Sequence, residues 1–146
     1  MMKNSQIFLK AALPKILSIP NSWHNEQNIK LEKAARLFYD GILQAPGLIP
    51  IMPSGSIYMM VKIDFSRLEN FTDDLTFCQA LVSQKSVFVL PGSCFGASDF
   101  FRLVITIPQD KITEACQRIV DFCNKNIRNN LVPSESANIK KLLYNK

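Results

Sequence analysis

The side chain with the clearest potential for chemistry is Arg102, which opens an apolar run, residues 103–107, with the composition of a β-strand. An arginine in such a place either extends to solvent or meets an anion, and most arginines at strand ends are simply solvated. The second possibility is a carboxylate clamp, because the planar guanidinium offers two parallel N–H donors that match a carboxylate, which lysine does not. Position alone leaves both interpretations open.

Two turns next to apolar runs are the other candidates for a part of a binding site. Residues 91–96 have the sequence Pro-Gly-Ser-Cys-Phe-Gly, and residues 53–56 have the sequence Pro-Ser-Gly-Ser, with Tyr58 soon after them. Proline and glycine favour tight turns, and glycine lets the backbone approach a ligand or another chain. By itself each string predicts no more than a turn, and Tyr58 by itself predicts a packed aromatic ring whose hydroxyl has a partner.

The remaining nucleophilic and metal-binding side chains form no readable site. No two of the four cysteines have Cys-x-x-Cys spacing, and the single histidine, His24, is far from them in sequence, so we expect no metal site. Three cysteines lie on apolar faces of predicted helices, which is typical of reduced, buried thiols in a cytosolic protein: Cys78, Cys116 and Cys123. We expect His24 to be solvated near a helix start. With no paired carboxylates either, a hydrolase or other self-sufficient enzyme is not indicated.

The composition is that of an ordinary globular protein. The 146 residues are enough for one domain with a core, and 47% hydrophobic with 20% charged residues argues against a disordered or fibrous protein. The net charge is +5, but the basic residues are scattered and not interleaved with aromatic residues, so we expect no nucleic-acid partner. We find no membrane span and no signal peptide. We therefore expect no membrane partner and a cytoplasmic location, or a mitochondrial one if a targeting segment precedes this chain.

Two helices are predicted in the N-terminal third. The first covers residues 6–17, where Pro14 indicates a kink or an end. The second covers residues 23–44, after a breaker in which Asn21 or Ser22 is a suitable N-cap. The apolar stripe of this second helix comprises Leu31, Ala34, Ala35, Phe38 and Ile42.

Strands and helices are then predicted in the order β-β-α-β-β-α. The strands cover residues 48–52, 56–63, 86–90 and 101–107, and the second is so apolar that we expect cover on both faces. The helices cover residues 73–84, capped by Thr72, and 110–126. Their expected buried faces are Leu75, Cys78, Leu81 and Val82 in the first, and Ile112, Ala115, Cys116, Ile119, Phe122 and Cys123 in the second. This order predicts an α/β fold of α+β-like character, a small sheet with packed helices, followed beyond residue 128 by a polar, frayed tail.

Taken in order, these segments resemble the tyrosine aminotransferases of the class I/II pyridoxal-phosphate-dependent family. The resemblance is carried by residues 46–61, 87–95 and 101–108, and the helix around residues 114–119 completes it. Several motifs occur here in the order in which the family has them, so the resemblance is specific. It implies that the chain is the C-terminal part of a fold-type I transferase. The expected domains are residues 1–18 as the remnant of a large-domain helix, 19–45 as the inter-domain helix, 46–128 as the small domain and 129–146 as the tail.

The resemblance also implies roles for residues of the small domain. A small-domain arginine in this family holds the α-carboxylate of the substrate, and Arg102 matches that arginine. Tyr58 and the preceding Gly55 match a segment that lines the substrate side of the cleft. The turn at residues 91–95 is expected to support the structure near the domain junction.

The cofactor of the family is pyridoxal 5′-phosphate, which a large-domain lysine holds as an imine while it moves the substrate proton. That lysine lies in a serine-rich stretch before a Gly-x-Arg element, and no lysine here has this context; Lys85 lies at a helix end and does not match. The resemblance therefore implies that this chain has no catalytic residue and binds the cofactor weakly or not at all. The full-length enzyme would be a homodimer that transfers the amino group of an aromatic amino acid, tyrosine, to 2-oxoglutarate.

Two hypotheses follow from this resemblance. The chain is either part of a complete tyrosine aminotransferase, or a genuine short product without catalysis that acts as an interaction module or pairs with an intact subunit. The apolar faces of residues 7–17 and 29–42 favour the first hypothesis, because a large domain would bury them.

Overall fold

The computed structural model describes residues 4–128, with side chains from Lys10 onward. The chain divides into two compact units that meet between Lys33 and Ala34. The first unit contains helix α1 (Asn4–Leu17) and the beginning of helix α2 (Asn21–Ile42). The predicted polar tail lies outside the described residues.

Both N-terminal helices are confirmed, with different ends. Pro14 does not end α1, which continues to Leu17. Helix α2 begins at Asn21, so neither Asn21 nor Ser22 precedes it as a cap would, and the prediction of an N-cap there is wrong. The predicted stripe of α2 is confirmed for Ala34, Ala35, Phe38 and Ile42, which are buried, whereas Leu31 is only half-buried.

The second unit contains a four-stranded antiparallel sheet with two helices. The strands are β1 (Leu48–Ile51), β2 (Tyr58–Ile63), β3 (Leu90–Pro91) and β4 (Phe100–Val104), in the spatial order β1-β2-β4-β3. Helix α3 (Asp74–Lys85) lies between β2 and β3 in the chain, and helix α4 (Gln109–Lys125) follows β4. The predicted mixed α/β fold and its β-β-α-β-β-α order are therefore confirmed.

Among residues 10–128 the sheet is covered on one face only, which contradicts the prediction that β2 is covered on both faces. Along β2 the buried residues alternate with accessible ones: Met59, Val61 and Ile63 are buried and the others are not. The same alternation in β4 buries Phe101 and Leu103. An antiparallel sheet can leave one face without helices, and the accessible face then carries every second residue of each strand.

An aromatic cluster joins α3 and α4 to the covered face. The ring of Phe77 in α3 lies 5.8 Å from that of Phe101 in β4 and 5.4 Å from those of Phe71 and Phe122, between ring centroids. Phe77, Phe101 and Phe122 have no exposed surface. Rings at this separation are attracted to one another beyond the burial of their area. The cluster therefore fixes the position of β4, which carries Arg102.

The predicted buried face of α3 is confirmed for Cys78 and Leu81 and wrong for the other two residues. Asp74, Phe77, Cys78 and Leu81 are buried, whereas the predicted Leu75 and Val82 are 49% and 38% exposed. Helix α3 carries apolar residues on several sides, and the side that contains Phe77 is the one that faces the core. The cap also differs, because the carboxylate of Asp73, not the hydroxyl of Thr72, accepts the N–H of Thr76 at 2.8 Å.

The predicted stripe of α4 is confirmed, with one exception, because Ala115 is only half-buried. The buried residues of this helix are Ile112, Cys116, Ile119, Phe122 and Cys123. The expectation that three thiols are buried is also confirmed. Burial raises the pKa of Cys78 and Cys123 to about 12 and that of Cys116 to about 11. These thiols are protonated at neutral pH, which suits a structural role in the core.

All four strands are shorter than predicted, and β3 and β4 illustrate the difference. Of the predicted strand at residues 86–90, only Leu90 pairs. Helix α3 ends in a left-handed cap at Ser86, whose N–H donates to the carbonyl of Val82 at 2.9 Å. Strand β4 ends at Val104, although Ile105 still donates its N–H to the carbonyl of Ile57. Within residues 4–128, no helix combines the length and the apolar character that crossing a membrane requires.

Candidate functional site

Arg102 lies on the face of the sheet that the helices leave accessible. It sits in the middle of β4, opposite Met60 of β2 and Leu90 of β3, while its neighbours Phe101 and Leu103 enter the core. The alternation of a strand therefore directs Arg102 away from the helices. Its side chain is half-buried, which excludes the interpretation of a fully solvated strand end.

Two aromatic rings lie against the guanidinium. The Cζ atom of Arg102 is 3.8 Å from the ring centroid of Phe95 and 4.7 Å from that of Tyr58. Both distances are within the range of cation–π attraction, in which the ring face stabilises the positive charge. Tyr58 is the first residue of β2, and Phe95 is the last residue of a 3₁₀ turn, Gly92–Phe95, that connects β3 to β4. The guanidinium is thus placed by contacts from two separate elements.

The guanidinium has no polar partner in the described part of the chain. Its Nε atom is buried and has no hydrogen-bond acceptor, and no ion pair or hydrogen bond joins the other two nitrogens to any of residues 10–128. A buried donor without an acceptor costs about 1–3 kcal/mol, and arginine keeps its charge at any physiological pH. Such a cation with free donors suits a bidentate anion, of which a carboxylate is the simplest.

The other two predicted site residues have different outcomes. Tyr58 does lie beside Arg102, with 40% of its surface exposed, and its hydroxyl has no partner among the described residues. The expectation of a ring packed in the core is therefore wrong, because Tyr58 opens β2 on the accessible face. Gly55 is exposed in the turn between β1 and β2, and a Cβ atom there would meet nothing within 4 Å. No contact of Gly55 with Arg102 is seen.

Phe95 is a site residue that the sequence reasoning placed only in a supporting turn. The pairing of Leu90 with Arg102 and of Pro91 with Phe101 sets the turn beside the start of β4. The sequence offered one signal for this role of Phe95. It is an aromatic residue that ends a proline–glycine turn a few residues before the arginine of the next strand. The sequence does not show that Phe95 and Arg102 are close, because their distance depends on the register between β3 and β4.

Close packing and a buried hydrogen bond hold the turn that carries Phe95. Gly92 is so enclosed that a Cβ atom there would lie 2.2 Å from the carbonyl oxygen of Ala97. Gly96 ends the turn with a left-handed φ of 73°, a conformation that glycine adopts readily. The backbone N–H of Ser93 donates to the carboxylate of Asp74 at 2.6 Å. The turn is therefore fixed from α3 as well as from its own backbone.

A second concave region, of about 430 Å³, lies elsewhere in the second unit. It is bounded by residues 86–89, the end of β4 and α4, and Arg102 does not line it. The charged groups there have partners, since Arg118 donates to the carbonyl of Lys85 at 3.0 Å and pairs with Glu114. Because the charged side chains of this groove, Lys111, Glu114 and Arg118, are already paired, the Arg102 region is the better candidate for recognition of a polar ligand.

The described residues do not offer a place for a cofactor that needs a buried amine. Lys62 is on the same face as Arg102, opposite Phe100, but it is exposed and without a hydrogen bond or ion pair among residues 10–128. Lys85, at the end of α3, lies 4.0 Å from Asp121. His24 is exposed, as predicted. In the same part of the chain no group of three or more histidine, cysteine or acidic residues could bind a metal ion.

Comparison with known proteins gives consistent matches. Residues 3–119 match the family model described as aminotransferase class I and II. The chain is 37% identical over 118 residues to the tyrosine aminotransferase of Mus musculus and 39% identical over 119 residues to that of Dictyostelium discoideum. These alignments cover 80% and 79% of this chain but only 26% and 28% of the relatives, so the chain spans about a quarter of their length.

A solved structure shows the same arrangement. The tyrosine aminotransferase of Leishmania infantum superimposes with a TM-score of 0.75 at 27% identity, over 81% of this chain and 29% of that protein. Most of this chain therefore has the fold of part of that enzyme.

Proposed function

The chain belongs to the class I and II aminotransferases, and on that basis we propose that it supplies the part of a transaminase site that binds the α-carboxylate of the substrate. Arg102 is the proposed carboxylate-binding residue. Enzymes of this family generally depend on pyridoxal 5′-phosphate, which, when bound, withdraws electrons from the substrate α-carbon. This chain would contribute the orientation of the substrate.

The observation that carries the proposal is the buried Nε donor of Arg102, which has no acceptor among the described residues. A carboxylate that accepts from Nε and from a second nitrogen would satisfy it with two parallel hydrogen bonds. The rings of Phe95 and Tyr58 restrict the guanidinium before the ligand arrives, so less side-chain freedom is lost on binding. With its carboxylate fixed at two points, an amino acid has its α-hydrogen in one orientation, which favours proton removal.

The accessible sheet face suits a role within a larger protein. Exposed apolar side chains flank the Arg102 region on this face: Ile49, Ile51, Tyr58 and Val104, between 40% and 51% exposed. Single exposed apolar residues are ordinary, but a group of them on one face marks a surface that another structure covers. In our proposal this cover is the large, cofactor-bearing domain of the same enzyme. Residues 46–128 then form the small domain, 19–45 the connecting helix and 1–18 the end of the large domain.

We further propose that the imine-forming lysine is not in this chain. Such a lysine works from an enclosed position where its amine can lose a proton, and Lys62 and Lys85 lack that environment and the sequence context of the family. The chain alone would then bind pyridoxal 5′-phosphate weakly or not at all and would have no activity, and its described residues support no step through the cofactor.

The relatives named above also suggest the reaction of the complete enzyme. We propose that it transfers the amino group of tyrosine, or a similar aromatic amino acid, to 2-oxoglutarate, and that it acts as a homodimer in the cytoplasm. The accessible ring of Tyr58 beside Arg102 is compatible with an aromatic substrate, since it offers a stacking surface next to the carboxylate position.

Titration of the 146-residue chain with a carboxylate tests the proposal. The Nε–Hε resonance of Arg102 is followed by NMR while 3-(4-hydroxyphenyl)propionate is added, with the corresponding amide as a ligand control. We expect saturable binding with a Kd on the order of 10–100 mM, the range for one exposed charge-assisted pair, and no effect of the amide. Arg102→Lys has no Nε–Hε group, so binding to this variant is followed at the backbone N–H resonance of Leu103, where the saturable change seen in the unaltered chain should be lost. Arg67→Lys replaces an exposed arginine elsewhere and should keep the saturable change. Equal titrations with acid and amide, or in Arg102→Lys, would contradict the role of Arg102.

A further inference from the structure

Asp74 is the one buried charged residue in the described part of the chain, with 4% of its surface exposed. A carboxylate in such a place is unfavourable unless hydrogen bonds replace its lost water. Its Oδ2 atom accepts the backbone N–H of Ser93 at 2.6 Å, across 19 residues of sequence. Asp74 is thus a buried acid that binds the backbone of a turn distant in sequence, and the needs of its own helix do not by themselves account for its burial.

Helix capping does not supply that explanation. Asp73 already caps α3, since its carboxylate accepts the N–H of Thr76. An acid at position 74 also complements the dipole of the first turn, but an exposed side chain would serve that purpose equally well. Asp110 is such a case, because it occupies the first turn of α4 and is exposed. The burial of Asp74 therefore points to its contact with Ser93.

The turn that Asp74 holds is the turn that carries Phe95. Ser93 and Phe95 belong to the same 3₁₀ turn, Gly92–Phe95, whose start is packed against Ala97 and Phe100. The ring of Phe95 is also the nearer of the two rings that contact Arg102, at 3.8 Å against 4.7 Å for Tyr58. A change in the position of Ser93 would move Phe95 relative to the guanidinium.

We infer that Asp74 is a positioning residue for the Arg102 region: through Ser93 it fixes the 3₁₀ turn so that Phe95 holds the guanidinium in the orientation that receives a carboxylate. What Arg102 binds rests on the proposed function, but the placement of the guanidinium by Asp74 does not. The two statements can therefore fail separately.

The test compares Asp74→Leu, Phe95→Leu and the double variant in the 146-residue chain. The readouts are the Arg102 Nε–Hε resonance, which reports the nearby ring, and the affinity for 3-(4-hydroxyphenyl)propionate. We expect Asp74→Leu to move the resonance toward its position in Phe95→Leu and to weaken binding about three- to ten-fold, the range for loss of a cation–π contact. The double variant should be no weaker than Phe95→Leu alone, because both changes remove the same contact.

Two controls separate positioning from stability. Ser93→Ala keeps the backbone N–H, and Asp110→Asn removes a first-turn acid that is exposed, so both should leave the resonance unchanged. Asp74→Asn keeps an oxygen that can accept the N–H of Ser93, so its Arg102 resonance should lie close to that of the unaltered chain. If Asp74→Leu does not fold, Asp74→Asn must still show a small displacement in the same direction, because its amide is a weaker acceptor.

An unchanged Arg102 resonance in the folded Asp74 variants would overturn the inference, as would additive losses of affinity in the double variant. If the unaltered chain does not bind the carboxylate, the proposed function fails, and the resonance still decides whether Asp74 positions the guanidinium.

Discussion

Replacement of Phe77 by alanine is expected to lower the free energy of unfolding of the chain by about 3–5 kcal/mol. Phe77 is fully buried and contacts three other rings, those of Phe71, Phe101 and Phe122. Its removal leaves a cavity among rings from several elements, and the surrounding structure relaxes only in part. Since a domain has about 5–15 kcal/mol of stability in total, urea denaturation should show a large shift of the midpoint.

The matched control is Phe88→Ala, which removes the same side chain from a position that is 75% exposed. We expect a change within about 0.5 kcal/mol there. Leu75→Ala serves the same purpose within α3, because Leu75 is 49% exposed although the sequence predicted it to be buried. If Leu75→Ala destabilised the chain more than Phe77→Ala, the observed orientation of α3 would be incorrect.

Gly92→Ala is the second substitution with a large expected effect, a loss of about 2–3 kcal/mol in the free energy of unfolding. The added Cβ atom would lie 2.2 Å from the carbonyl oxygen of Ala97 and 2.8 Å from Phe100. Both contacts involve backbone atoms, so the turn itself must move to accommodate the methyl group. Urea denaturation measures the loss, and the Arg102 resonance should move with it because Phe95 belongs to this turn.

Gly55→Ala is the control for this prediction. The added methyl group would meet nothing within 4 Å, and Gly55 does not have a positive φ. The expected change is within about 0.5 kcal/mol. Equal effects of the two substitutions would mean that the turn at Gly92 is less enclosed than the structure indicates.

The sequence predicted the helices of this fold best where apolar and polar residues separate cleanly. In α4 the stripe from Ile112 to Cys123 was predicted almost completely, because the other sides of that helix are polar. In α3, Cys78 and Leu81 are buried as predicted, but Leu75 and Val82 are apolar and exposed, so spacing alone left two overlapping faces open. Only the packing of Phe77 against rings from other elements decides between them.

The strands illustrate a second limit. An apolar run such as residues 56–63 is compatible with cover on both faces or on one, and the accessible face of this sheet is itself rich in apolar side chains. Of the predicted strand at residues 86–90, Ser86 is the cap of the preceding helix, residues 87–89 are in neither helix nor strand, and only Leu90 pairs. The pattern of apolar and polar residues does not determine at which residue a helix ends or the next strand begins.

The candidate site was predictable in part. Arg102 and Tyr58 were selected from the order of motifs and the family they resemble, and the structure brings them together. The contact with Phe95 and the bond from Ser93 to Asp74 depend on strand register and on residues 19 positions apart. No pattern along the chain encodes such distances, so these residues could not be assigned without coordinates.

The central claim is that this chain supplies the carboxylate-binding arginine of an aminotransferase but not its imine-forming lysine. The most direct test incubates the purified chain with pyridoxal 5′-phosphate, reduces any imine with borohydride, and locates labelled lysines by mass spectrometry, with tyrosine and 2-oxoglutarate assayed in parallel. Scattered or absent labelling without turnover is the predicted result. A single lysine labelled stoichiometrically, together with turnover, would contradict the claim and reveal a complete active site within these 146 residues.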